Sequence, residues 1–517
     1  QGFASAPRSQ LRCARTSRGR MWTCCRDGAP RDGAPRGPRT SAVFEPQFPM
    51  YVVRSVDVLN MTEVRPHQQL LADGMLVSFG IQSGVAVFVS HQWSSHAHPD
   101  PRFQQFGVLQ ELIRRAQDRS LAIEPDLVLA QNGMLSANVR ASELWGLGDD
   151  YHLWYDFFSV PQLAAREHGD EDTDLGSDLG KAVESIPSYV ERSRYFIILA
   201  PEVEHADVPG RILGYDSWRS RGWCRVERMA RVLAAEEENV PLLLARGGGV
   251  LFEVDGTAYM YDPVGEGCFS VEADKERVVP TMLGLLAERL SSFLRRGKLL
   301  KFRALQARRS LLLRSLPLAG LGGDDGGVRG SPTAAFQEHG GDPAAAFLEA
   351  YAFPCAVGGQ SQVLLDEALL LAAAAGDAPV VHVLLDRGAD IEAQEREAAL
   401  ALGVQRGLRP LHHAAACGHT EVVAALLARR AAVNARGGTL HVSSLDCAVM
   451  GSSGIVLRML VQAAADLRAK IWSGISAVGI AAGHDRLDTA KELLAMGARA
   501  GFFDLLYCLQ KGGGDDA

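Results

Sequence analysis

Two hydrophobic patterns divide the chain. Between Val85 and Leu233, short apolar runs stop abruptly at polar residues: VAVFVSHQW at 85–93, HLWYDFFSV at 152–160 and YFIILAP at 195–201. Stretches with helical spacing lie between them, at Phe103–Gln117, at Lys181–Arg194 and from Tyr215 onward. Unbroken apolar runs alternating with helices predict buried strands, hence a layered α/β domain built on a parallel sheet. From Glu367 to Ala498 the pattern becomes helix upon helix. Paired large apolar residues at 426–427, 459–460 and 493–494 recur at steps of 33 and 34 residues. That period predicts helix pairs that bury their faces only against neighbouring pairs.

Composition sets the boundaries. Residues 1–45 form a basic segment expected to be disordered, with nine arginines against two aspartates in the first 40 and a tandem Arg-Asp-Gly-Ala-Pro. An organelle-targeting remnant, or lipidation at Cys24 and Cys25, is the alternative there. The chain begins at Gln1, from which an incomplete N-terminus is expected. The α/β domain takes residues 46–245. Residues 246–315 are expected to hold a hairpin, Val250–Asp262 turning at Asp255-Gly256, and a basic helical connector, Glu276–Leu313. A Gly/Pro-rich linker, 316–360, precedes the repeat array, 361–510.

A net charge of -8 argues against a protein that coats nucleic acid. Nine scattered cysteines read as reduced thiols, which favours the cytoplasm, and no apolar window is long enough for a transmembrane segment. Basic residues crowd 293–314, where Arg295, Arg296, Lys298, Lys301, Arg303, Arg308, Arg309 and Arg314 interleave with Phe293, Leu300, Phe302 and Leu312. A basic amphipathic helix there fits a calmodulin-like protein or an anionic membrane, or a solvated face packed on its own domain. Neither His91, His96 and His98 nor His412 and His413 have metal-ligand spacing, and no metal is expected.

The clearest repeat, GLRPLHHAAACGHTEVVAALLARRAAVNA at 407–435, closely resembles the ankyrin repeat. Its Pro-Leu-His turn, small alanines at 414–416, Gly418 and the core pair Leu426 and Leu427 stand in register. An earlier unit carries Leu384-Leu385 and is expected to bear a loop of extra residues at 395–405. Later units carry Gly451-Ser452 and Gly483-His484, making about four repeats. His412 is expected to hydrogen-bond neighbouring backbone. The resemblance implies a protein partner in the groove of turn tips and first helices, near Arg409, His413, Gln394, Glu395, His441 and Trp472.

The α/β segment resembles the Toll/interleukin-1 receptor (TIR) domain in motif order: Val87–Ser90, Asp156, Ala182–Ser193, Ile197–Pro201, then Trp223-Cys224-Arg225-Val226-Glu227. Ser-His-Gln-Trp and Trp-Tyr-Asp-Phe-Phe-Ser-Val-Pro-Gln are similar equally to heterokaryon-incompatibility and protist TIR-like groups. An acidic stretch, Glu167 to Asp178, stands where TIR domains have a Gly-rich loop. The resemblance implies a flavodoxin-like fold and self-association. It also implies, as an alternative, NAD cleavage with Glu227 as catalytic carboxylate beside Trp223, and Ser90, His91, Trp93 and Asp156 around the substrate. A carboxylate suits that chemistry because bond cleavage builds positive charge on the ribose. Glu227 also suits a structural role, favouring the helix dipole or pairing with Arg221, Arg225 or Arg228. The expectation is a scaffold or signalling protein with no required cofactor: a flavodoxin-like, TIR-like domain followed by an all-α ankyrin solenoid.

Overall fold

Alternate residues of one central, largely apolar strand face two separate cores, and this organises the α/β half. The computed structural model describes residues 45–80, 82–125, 140–148, 150–162, 177–234, 242–254, 256–318, 342–353, 361–484 and 486–505. The expected basic N-terminal segment up to residue 44, the acidic stretch from Glu167 to Asp174, the Gly-rich part of the linker and the tail beyond 505 lie outside them. The strands are β1 (Tyr51–Arg54), β2 (Val77–Ser78), β3 (Val85–His91), β4 (Ala122–Pro125), β5 (Tyr151–Tyr155), β6 (Tyr195–Leu199), β7 (Val203–Glu204), β8 (Ile212–Leu213), β9 (Leu242–Ala245) and β10 (Val250–Val254). Among the described residues, eight of them form one sheet in the order β2-β1-β5-β3-β6-β9-β10-β4, and β7 pairs with β8.

The four central strands, β5, β3, β6 and β9, run parallel, whereas β1 and β10 are antiparallel to their inner neighbours. The sheet is therefore mixed, not wholly parallel as expected. Ala86 and Phe88 of β3 point into a core with Trp154, Phe196 and Leu244. Val87 and Val89 point into the opposite core with Phe106, Leu109, Leu112 and Ile113 of helix Gln104–Gln117. The period of two in a strand dictates this division. Phe88 stacks between its register partners, 4.2 Å from the Trp154 ring and 5.3 Å from that of Phe196.

Several expected elements are subdivided. The run at 152–160 is strand β5 followed by a one-turn helix, Asp156–Ser159, and the segment from Tyr215 is two helices, Tyr215–Ser220 and Gly222–Ala234. The hairpin is formed by β9 and β10 across Arg246–Gly249, where three successive glycines have positive φ, and not around Asp255-Gly256. Residues Thr257–Tyr261 are a 3-10 turn. The basic connector is not one helix. It breaks at Gly297, with φ 66°, into Asp274–Arg295, Leu299–Ala307 and Arg309–Leu312.

Among the described residues, four helix pairs make the array: Gln362–Ala375 with Ala378–Asp386, Pro410–Cys417 with Thr420–Ala428, Ser444–Met450 with Gly454–Gln462, and Ala477–Gly483 with Leu487–Ala495. His412 takes its expected place: its Nδ1 accepts from Arg409 N at 3.2 Å, and Nε2 donates to the carbonyls of Ala435 and Val442 at 3.1 and 3.2 Å. The extra residues at 395–405 are ordered. They carry a short 3-10 turn, Leu400–Leu402, closed by an Ala399–Val404 bridge. Ala399, Leu402 and Val404 are buried in the α/β core, beside Tyr259 and Met260. Tyr259 donates its hydroxyl to Ala401 O at 2.9 Å. Gly403 sits at φ 68°, a backbone conformation that strains any other residue, and a Cβ there would also have to push aside the tip of Met260, 2.7 Å away at Cε.

Arg303 and Arg308, read from sequence as part of a basic face, are both buried between the connector and the array. Arg303 donates to Tyr351 O, Ala352 O and Glu367 Oε1, and its guanidinium lies 3.7 Å above the Phe353 ring. Arg308 donates to Ala304 O, Gly403 O and His413 Nδ1 at 3.3, 3.2 and 3.0 Å. Two of the eight basic residues expected on one helix face are thus committed to internal contacts, and the break at Gly297 divides the rest. No described helix is long and apolar enough to cross a membrane.

Within the array, Leu426 is fully buried while Leu427 is only partly so, which corrects the expectation that both fill the core. Leu426→Ala is expected to cost about 2–5 kcal/mol and Leu427→Ala clearly less, measured by urea unfolding.

Candidate functional site

Strand alternation that builds the two cores also divides the carboxyl end of β3. Ser90 continues the face of Ala86 and Phe88 and meets helix Gly222–Ala234. Its hydroxyl donates to Glu227 Oε2 at 2.5 Å and accepts from Trp218 Nε1 at 2.9 Å. His91 points to the other face, where its ring stacks on Tyr155 with centroids 3.8 Å apart. Its Nε2 lies 2.6 Å from Asp156 Oδ1, and Trp93 Nε1 donates to Asp156 Oδ2 at 3.1 Å. The carbonyl of His91 accepts from Cys224 Sγ at 3.5 Å, joining the two halves.

Ser90, His91, Trp93, Asp156 and Glu227 are thus brought to one end of the sheet, as a linked pair and trio. Trp223 is not part of them. Its indole donates to Asp274 Oδ2 at 3.2 Å and meets the Phe269 ring edge-on. The neighbour of Ser90 is instead Trp218, one helix earlier, which the sequence reading passed over. Gln92 was also missed: it donates to Gly214 O and accepts from Ser217 Oγ, fastening β3 to the start of helix Tyr215–Ser220.

The two carboxyls have opposite characters. Glu227 is 8% exposed, and burial pushes it up to about 8; Asp156 nearby raises it further, while the Ser90 hydroxyl and Arg221 pull the other way. Burial also opposes ionisation of Asp156, but the His91 charge and hydrogen bond, with the Trp93 indole, outweigh it and hold Asp156 below the ordinary range. At neutral pH Glu227 is a neutral acid and Asp156 the anion, so His91 donates Nε2–H to it. Paired carboxyls with separated pKa values can divide acid and anion roles. The Cys224 thiol, expected from sequence either to pack or to be activated by arginines, is buried and pushed well up, so it is inert packing.

In the array, the expected binding residues separate into two groups. His413 and Glu395 are withdrawn from the surface: His413 Nε2 lies 3.0 Å from Glu395 Oε1, and its Nδ1 accepts from Arg308. The physical reason is the connector, whose buried guanidinium occupies that part of the groove. Arg409 is largely engaged, donating to Arg436 O at 2.8 Å and pairing with Glu392 at 3.2 Å. Gln394, His441 and Trp472 remain exposed. Trp472 is 73% exposed and edge-on to His441, with ring centroids 5.2 Å apart. Arg436 donates to His441 O and Lys470 O and so ties two neighbouring tips together.

Because the folded pKa of Glu227 lies near 8, above its ordinary value of 4.5, the folded state holds a proton that the unfolded state releases. Stability from this group is complete below about 4.5 and declines as pH rises through about 8. Glu227→Gln keeps an acceptor for Ser90 without the titration. Thermal melts from pH 5 to pH 8.5 are expected to show the variant gaining on wild type as pH rises.

Comparison with known proteins bears on the array. No curated protein matches the chain. A family model described as ankyrin repeats (3 copies) matches residues 369–471, so this segment carries ankyrin repeats, the signature of an element for protein–protein interaction.

Proposed function

We propose that this protein is a scaffold of the signalling type, in which the ankyrin array recruits a protein partner and the α/β domain, TIR-like in its motif order, serves assembly. Trp472 carries this reading. An indole largely in solvent at a repeat tip, beside His441, is the kind of large, stiff, amphipathic group that anchors protein contacts. The order β5-β3-β6-β9 in the parallel centre of the sheet supports the flavodoxin-like, TIR-like part of the proposal. The antiparallel flanking strands are its departure from an all-parallel design. Free thiols at Cys224, Cys268, Cys417 and Cys447 support a reducing, cytosolic setting.

A second reading, cleavage of NAD at its nicotinamide bond, is favoured by the meeting of a neutral Glu227 and an anionic Asp156 at the strands' carboxyl ends, where α/β sheets place ligands. It is weakened by the burial of Glu227 and the absence of Trp223 from its side.

Two measurements test these readings. Quantitative mass spectrometry of proteins retained by the immobilised full chain is expected to identify a partner lost at least about tenfold with Trp472→Ala and kept with Glu421→Ala, on the exposed second helix. Equal retention by both overturns the tip site. Incubation with NAD is expected to release no nicotinamide. Release that falls with Glu227→Gln and rises with pH through about 8 favours the enzyme reading instead.

A further inference from the structure

Four guanidiniums converge on one three-residue segment, Tyr261-Asp262-Pro263, where the α/β domain meets the fourth repeat. Arg219 Nη2 lies 3.3 and 3.4 Å from the two oxygens of Asp262, and Arg228 Nη2 donates to Oδ2 at 2.9 Å. Arg225 donates to Pro263 O at 2.8 Å and to Arg219 O at 2.8 Å. From the array, Arg486 donates to Tyr261 O at 3.0 Å while its other nitrogen bonds the carbonyls of Val449 and Met450. His484 adds its influence on Asp262 from the same repeat.

Carboxylates do not match this charge among the described residues. Asp262 is shared by Arg219 and Arg228, Asp216 acts on Arg219 from outside, and Glu266 is taken by Arg314 at 2.6 Å. Among the described residues the hydrogen bonds of Arg225 and Arg486 go to neutral carbonyls, and Asp262, already shared, acts on both only through space, with Glu266 adding to its effect on Arg225. The surplus is felt: burial and the neighbouring guanidiniums lower Arg225, and burial brings Arg486 down to about 10. The Nε–H groups of Arg219 and Arg228 are also buried without an acceptor among the described residues. Arg228 forms the floor of the cluster, 1% exposed, while Arg225, Arg486 and His484 are partly exposed along its rim.

We propose that this seam is a binding site for a phosphate-bearing small polyanion, held by the rim residues Arg225 and Arg486 over a floor of Arg219 and Arg228. A multivalent oxyanion supplies both the missing negative charge and acceptor oxygens in the geometry that guanidinium forks favour. Arg225 belongs to the α/β domain and Arg486 to the array, so a bound phosphate draws the two together. The site is separate from the Ser90–Glu227 pair, and its occupation is independent of the partner surface at Trp472.

Thermal melts and calorimetric titrations of the full chain test this, with sodium pyrophosphate as probe and sodium chloride at matched ionic strength as control. Pyrophosphate is expected to raise the melting temperature by at least about 2 °C above the chloride control. Arg225→Gln and Arg486→Gln, each made separately, are expected to weaken its binding at least about tenfold. Asp262→Asn removes the competing carboxylate, so it is expected to be less stable alone yet to gain more from pyrophosphate than wild type. ATP and inositol hexakisphosphate, run in parallel, distinguish a nucleotide from an inositol phosphate as the source of the phosphate. The proposal is overturned if pyrophosphate matches chloride, if both Gln variants respond as wild type does, or if Asp262→Asn gains nothing beyond wild type.

Discussion

The buried guanidinium of Arg308 ties together parts of the chain that sequence patterns assign to separate domains. It sits on the connector, bonds the backbone of the insertion at Gly403 and the imidazole of His413 in the second repeat, and through His413 reaches Glu395. A cation enclosed in this way is costly unless its donors are satisfied, so the three elements must arrive together. Apolar packing follows the same route. Residues 399–404 of the first repeat's long tip lie in the α/β core, and Ala307 of the connector lies in the core of the array. Each half completes the other's interior.

The sheet's two cores have a similar bearing on its carboxyl end. Because successive residues of β3 face opposite sides, Ser90 and His91 enter different surroundings although they are adjacent. Ser90 enters a dry space under helix Gly222–Ala234, where Glu227 stays protonated. His91 stacks on Tyr155 and bonds Asp156, which also holds the Trp93 indole. A single step along a strand thus places a neutral acid and an anion within one small region. The chemistry available there follows from the pleat and from which helices cover it.

What the sequence disclosed depended on the distance over which each feature is determined. Unbroken apolar runs made β3, β5 and β6 legible, and the repeat period with Pro-Leu-His made the array and the role of His412 legible, because neighbours within a few residues fix them. Ser90, His91, Trp93, Asp156 and Glu227 were found together because they cap those same strands and the helix that follows. Trp218 was passed over for Trp223 because the choice rests on a break at Arg221 between two helices, which residue spacing does not mark. The burial of His413 depends on Arg308, 105 residues earlier, and no local pattern carries that information. Two residues of the basic connector, Arg303 and Arg308, misled for the same reason: they look solvated until the array covers them.

The contacts of the first and fourth repeats fix a length. The array is fastened to the α/β domain near one end by the tip at 399–404 and toward the other by Arg486 on Tyr261. Repeat stacks normally tolerate the gain or loss of a unit, since each unit touches only its neighbours. Here an added unit between the second and fourth would carry Arg486 past Tyr261, and a deleted one would leave it short. This stack is a bridge cut to its span, and its number of units is set by the distance between two footings.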